Sequence, residues 1–263
     1  MNFIKELYNR NKILANLGTA HLIIAVLLAI YFPFNHSIVT GLNSVTKPIK
    51  FAFSIAIYSY SMTWFLYYLD DKRKVIRYSW VAVIAMGFEQ LAITFQALRG
   101  QQSHFNHTTL FNGIVFGLMG VFILTITLWT AYMAYLFIKQ KAFIISKPCV
   151  LSVRIGIIYF VMFSMFGGYV AKQSGHTVGA EDGGNGLPFI DWSTMFGDLR
   201  VAHFFGLHSL QLIPFIALLC SKYFKENTSI KIIWGFSILY VAFILFVMIS
   251  ALNGQPFINT SAC

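Results

Sequence analysis

Long apolar runs separated by short polar breaks dominate the chain. A helix needs about 20 mostly apolar residues to cross a hydrocarbon core of roughly 30 Å. Seven stretches have that length: 13–32, 49–69, 79–98, 110–138, 150–170, 199–220 and 232–252. The fourth is long enough to tilt or to project past the bilayer. The pattern predicts an all-α integral membrane protein, with residues 1–263 forming a single seven-helix transmembrane domain. The first run is too long for a signal-peptide core and has no small-x-small cleavage site, so it reads as a retained anchor.

Composition sharpens this. Apolar residues make up 57% and charged residues 11%, against about 25% charged in a soluble protein. Nineteen cations and nine acids are too few to build a soluble surface over so much apolar area. Soluble enzymes, disordered chains and nucleic-acid-binding modules are thereby excluded, and the lipid bilayer is the expected environment.

Lys and Arg mark the sidedness. Fourteen of them, from Lys5, Arg10 and Lys12 through the 72–77 and 139–154 clusters to Lys222, Lys225 and Lys231, fall on one side of the seven spans. Lys47, Lys50, Arg99, Lys172 and Arg200 fall on the other. The positive-inside rule then predicts a cytoplasmic N-terminus and an exoplasmic C-terminus. Glu6, Asp70, Asp71 and Glu226 join the basic side, so that side carries the whole net charge of +10 and no acidic partner is needed to explain it.

Cysteine offers no redox chemistry. Cys149 and Cys220 sit at cytoplasmic helix ends, Cys263 is alone outside, and no CxxC occurs. Two outer segments stand out against the short basic loops: 33–48, read as dipping into the interface, and the Gly-rich loop 171–198 between helices five and six. Loops of that length are usually functional or disordered, and Trp192, Met195 and Phe196 predict packing as a lid or a plug.

All seven histidines avoid the cytoplasmic loops. Glu89 lies roughly 14 Å from the outer end of its helix, His208 sits at a similar depth, and His21 a little deeper. Ionisable groups in a span are costly and therefore point to function. Arg200, His203, His208 and Gln211 share an arc of about 140°. Lys47, Lys50, Ser54, Tyr58 and Ser61 fall within about 80° on helix two, and Glu89 and Gln96 share a face of helix three ending at Arg99. These stripes predict an outward-facing polar cavity between helices two, three and six. Asp198 reads as the N-cap of helix six, and Gly113-x-x-x-Gly117 and Gly167–Gly168 as close helix contacts.

The segments TKPIKFAFSIAIY (46–58), LRGQQSHFN (98–106), HTVGAEDGGNGLP (176–188) and WSTMFGDLRVAHFFGLHSLQ (192–211) resemble an uncharacterised family of bacterial polytopic, seven-span integral membrane proteins. The resemblance covers most of the chain and implies a location in the bacterial inner membrane. It supplies no activity, substrate or cofactor, so no residue role follows from it. A retinal lysine is missing from the last span, and the HxxxH metal motif of some seven-span hydrolases is absent.

Three functions fit this set of residues. The first is a membrane-embedded enzyme, with Glu89, His203 and His208 as catalytic groups and Lys50, Tyr58, Arg99, Arg200 and Gln211 binding a small or lipid-like anion. Its cofactor would be a transition metal held by His176, His203, His208 and Glu89, or a haem between histidines such as His21 and His208. The second is a proton-coupled transporter with Glu89 and His208 as the relay. The third is a non-catalytic sensor or assembly subunit. Whether the chain is an enzyme stays open at this point.

Overall fold

The computed structural model describes residues 3–173 and 175–259. Seven long helices occupy the seven expected runs, with ends moved by a few residues. They are α2 (Lys12–Tyr31), α3 (Thr46–Leu66), α4 (Lys72–Leu98), α5 (Leu110–Lys139), α6 (Lys147–Lys172), α7 (Leu199–Tyr223) and α8 (Glu226–Leu252). An eighth, α1 (Phe3–Arg10), was too short for the apolar pattern to reveal. Polar residues start several helices by accepting a free first-turn N–H: Asn11 from Leu14, Asp71 from Lys74, Thr109 from Asn112 and Asp198 from Arg200. The N-cap expected at Asp198 is therefore present.

Six of the helices are long and apolar enough to cross a membrane, and α3 is not among them. The difference has a physical origin. α3 buries twelve of its 21 residues, including Tyr58, Ser59 and Thr63, whereas α8 buries seven of 27. A helix surrounded by protein can carry polar groups on its inner faces; one that faces lipid must stay apolar. Side chains such as Leu110 and Leu239, 83% and 72% exposed, cover the peripheral helices.

The chain divides into two compact units, Met1–Gln140 and Lys141–Cys263. In the first, α3 packs on α2 and α4, and α4 packs on α5. Short α1 lies against α2 and α3, with Leu7 buried, Phe3 stacked on Trp64, and the Arg10 guanidinium 3.8 Å over the same indole. Segment 33–48 is a 3-10 turn (Phe32–Phe34) followed by an antiparallel hairpin, β1 (Ile38–Val39) with β2 (Leu42–Asn43). Thr40 and Gly41, at φ 47° and 79°, make the left-handed two-residue turn such hairpins prefer. Asn35 and Asn43 pin it, each donating its amide to the other at 2.7 Å.

In the second unit, α6, α7 and α8 pack in pairs. Glycine lets α6 and α7 approach closely: a Cβ on Gly206 would overlap the Phe163 ring, and one on Gly167 would press on His203. The other glycine expectations are corrected here, because a Cβ on Gly117 or Gly168 would meet nothing within 4 Å. Those two lie on exposed helix faces. In loop 171–198, α6 runs on to Lys172, and β3 (Thr177–Val178) pairs antiparallel with β4 (Gly197–Asp198). Trp192 is buried against Phe204, Phe205 and Phe257. Met195 and Phe196 are exposed instead of packed, and the loop is anchored by Trp192, Leu187 and Val178 and by its acids.

Candidate functional site

The first unit holds a polar group inside its apolar core. His21 of α2 and Glu89 and Gln90 of α4 are 3%, 1% and 2% exposed. The His21 Nδ1 lies 2.8 Å from the Leu17 carbonyl, which accepts from it when Nδ1 carries the proton. The backbone of Met86 also acts on that ring as an acceptor. Met86, Glu89 and Gln90 stand at i, i+3 and i+4 and thus share one side of α4, which places the imidazole beside the helix surface that carries the acid. Gln90 Nε2 donates to the Pro48 carbonyl at 3.2 Å and to Thr94 Oγ1 at 3.0 Å. This ties α4 to the first turn of α3, where Lys47 acts electrostatically on Glu89.

Four buried side-chain polar atoms among the described residues have no hydrogen-bond partner. Three of them belong to this group: His21 Nε2, Glu89 Oε1 and Gln90 Oε1. Orphaned buried polar atoms are rare in folded proteins and costly, at about 1–3 kcal/mol each. The two α4 oxygens lack a donor, and the His21 ring, facing the backbone of Leu17 and Met86, can carry a proton on either nitrogen. A proton, or water that brings one, is what those oxygens can accept.

A second polar group lies lower in the same unit. The hydroxyls of Tyr58 (α3), Tyr78 (α4) and Thr130 (α5) bond to one another, with Tyr58 2.9 Å and Tyr78 3.3 Å from Thr130 and the two phenols in direct contact. Tyr58 thus faces protein, and the expected helix-two stripe does not line a cavity as a whole, since Ser54 is exposed. Arg99 donates to Gln96 Oε1 and Asn112 Oδ1 and lies 5.2 Å from the rings of Phe95 and Phe111. Lys50 is half-buried on α3. His104 and His107 lie in a loop and not on a helical turn.

The remaining expected residues belong to the second unit. Arg200 donates to both oxygens of Asp198, to the Asp191 carboxylate at 3.0 Å and to the Asp191 carbonyl. Its guanidinium thus serves the loop's own acids, and the recess beside it is also lined by Glu181 and Asp191. His203 Nδ1 contacts the Phe163 carbonyl at 2.9 Å and His208 Nδ1 contacts Gln211 Oε1 at 3.2 Å. His176 Nδ1 meets Asp182 at 2.7 Å. Burial works against the Asp182 carboxylate, but the His176 ring and the backbone N–H groups of His176 and Thr177 hold its pKa well below the ordinary value.

Each of the three histidine rings is therefore engaged by a different partner. Among the described residues, no group of three His, Cys, Asp or Glu side chains is arranged to hold a metal ion. Cys149 and Cys220 are free thiols, and Cys263 lies outside the described residues. Gln90, Tyr78 and Thr130 escaped sequence reasoning. The adjacent Glu-Gln pair inside an apolar run was a readable sign of the first; tyrosine and threonine are too common in spans to mark the others. Comparison with models of known families, with curated proteins and with solved structures gives no match.

Proposed function

We propose that the chain is a proton-coupled transporter with seven spans, its N-terminus in the cytoplasm and its C-terminus outside, set in a bacterial inner membrane. Glu89 is the group that takes up and releases the proton, with His21 beside it on the face of α4. The observation that carries this reading is the buried cluster of unpartnered polar atoms at His21, Glu89 and Gln90. An acid kept at that depth costs several kcal/mol, and groups retained at such a cost characteristically serve a proton or ion pathway. α3 is the seventh span: its Tyr58 hydroxyl engages Tyr78 and Thr130 and its Pro48 carbonyl accepts from Gln90, so its lower apolarity reflects protein neighbours. A metal-dependent enzyme finds less support, because among the described residues no three His, Cys, Asp or Glu side chains are arranged to hold an ion.

Proton entry into proteoliposomes tests this, with a pH dye inside and a potassium diffusion potential as the driving force. Wild-type protein is expected to raise the flux above that of protein-free liposomes. Glu89→Gln should return it to that background, and His21→Ala should lower it at least ten-fold. Equal flux from wild type and Glu89→Gln would overturn the proposal.

A further inference from the structure

The hydroxyl ring of Tyr58, Tyr78 and Thr130 plays no part in the function proposed above. Its position relative to Glu89 gives it one. On α4, Tyr78 and Glu89 are eleven residues apart, which returns to within about 20° of the same direction and spans about 16 Å along the axis. Ala82 and Ala85 lie on that line between them, both buried. The side chains of α4 on the line itself are thus alanines, with Met86 flanking it.

α3 repeats the spacing in the opposite sense. Lys47 and Tyr58 are also eleven residues apart on that helix. Lys47 acts on Glu89 at one level, and Tyr58 bonds Tyr78 at the other. The antiparallel α3–α4 pair thus has two polar levels in matched register, one nearer the outer end of α4 where Lys47 acts on Glu89 through charge, and one nearer its cytoplasmic-side start where Tyr58 bonds Tyr78.

We infer that Tyr58, Tyr78 and Thr130 form a second proton station, exchanging protons with Glu89 along the alanine-lined side of α4. The inference rests on the proton-handling role given to Glu89. Each hydroxyl both donates and accepts. A proton accepted on one oxygen releases that group's own proton to the next, so one O–H bond forms as another breaks and the ring ends neutral. Thr130 also donates to the Ile126 carbonyl at 2.8 Å, and turning that hydroxyl toward the phenols opens the next acceptor. Water carries the proton across the span between the stations.

Tyr58→Phe and Tyr78→Phe keep the rings and remove one hydroxyl each. Each is expected to lower proton flux in the liposome assay at least ten-fold, and Ala82→Leu, which fills the line between stations, should do the same. Infrared difference spectra give the readout that a packing role would not move. When pH titrates Glu89 in the wild-type protein, tyrosine phenol bands should change with the carboxyl band. In the Tyr58→Phe/Tyr78→Phe double variant the carboxyl band should remain and the phenol change vanish. Wild-type flux in both Phe variants, or silent phenol bands while Glu89 titrates, overturns the second station and leaves the role of Glu89 standing. Flux that survives in Glu89→Gln overturns that role itself.

Discussion

Glu89 and Asp182 are carboxyls in opposite situations. Glu89 has a buried oxygen without a donor, whereas Asp182 accepts two backbone N–H groups and a histidine ring. The first is the proton-exchanging group of the proposed function, and the second is held in its charged form. Because the Asp182 pKa is depressed in the folded protein, its contribution to holding the loop is complete above the ordinary carboxyl value, near pH 4. It is lost as pH falls below that toward the lowered value. Asp182→Asn removes the charge and should weaken the loop by about 1–3 kcal/mol, seen as faster amide exchange at His176 and Thr177 at neutral pH. Unchanged exchange would mean that the loop is held by its apolar anchors, its strand pairing and the Arg200 pairs without Asp182. Glu89 was legible from sequence because an acid in an apolar run is costly and points first to function, ahead of a structural pair with Arg99 or a histidine. Its companion was not: depth favoured His208 and set His21 a little deeper, and only packing puts His21 beside Met86.

At the scale of elements, the apolar runs located all seven long helices because hydrophobic length is what a bilayer requires. They could not rank the helices by position in the bundle. α3 has the polar content of an inner helix, and its stripe was read as a cavity wall when Tyr58 in fact bonds within the protein. Glycine contacts were equally illegible, since spacing does not say which helix lies opposite. The resulting prediction is specific. Gly206→Ala should lower the melting temperature in detergent, at a cost of about 1–3 kcal/mol, because its methyl would enter the Phe163 ring. Gly168→Ala meets no neighbour and should be neutral or stabilise by up to about 1 kcal/mol. Equal effects at the two sites would contradict the close α6–α7 packing.

For the molecule as a whole, the charge asymmetry and the number of spans make one joint prediction. Seven spans put the termini on opposite sides, and six would put them on the same side. Reporter fusions should show the N-terminus inside and the C-terminus outside; a C-terminus found inside would remove α3 from the membrane. The central claim, that Glu89 exchanges a proton within the bundle, is tested most directly by infrared titration of the purified protein in lipid. The account predicts a carboxylic-acid band that appears and disappears reversibly with pH in the wild type and is missing in Glu89→Gln. A wild-type spectrum without that band, or one that Glu89→Gln leaves unchanged, would contradict it.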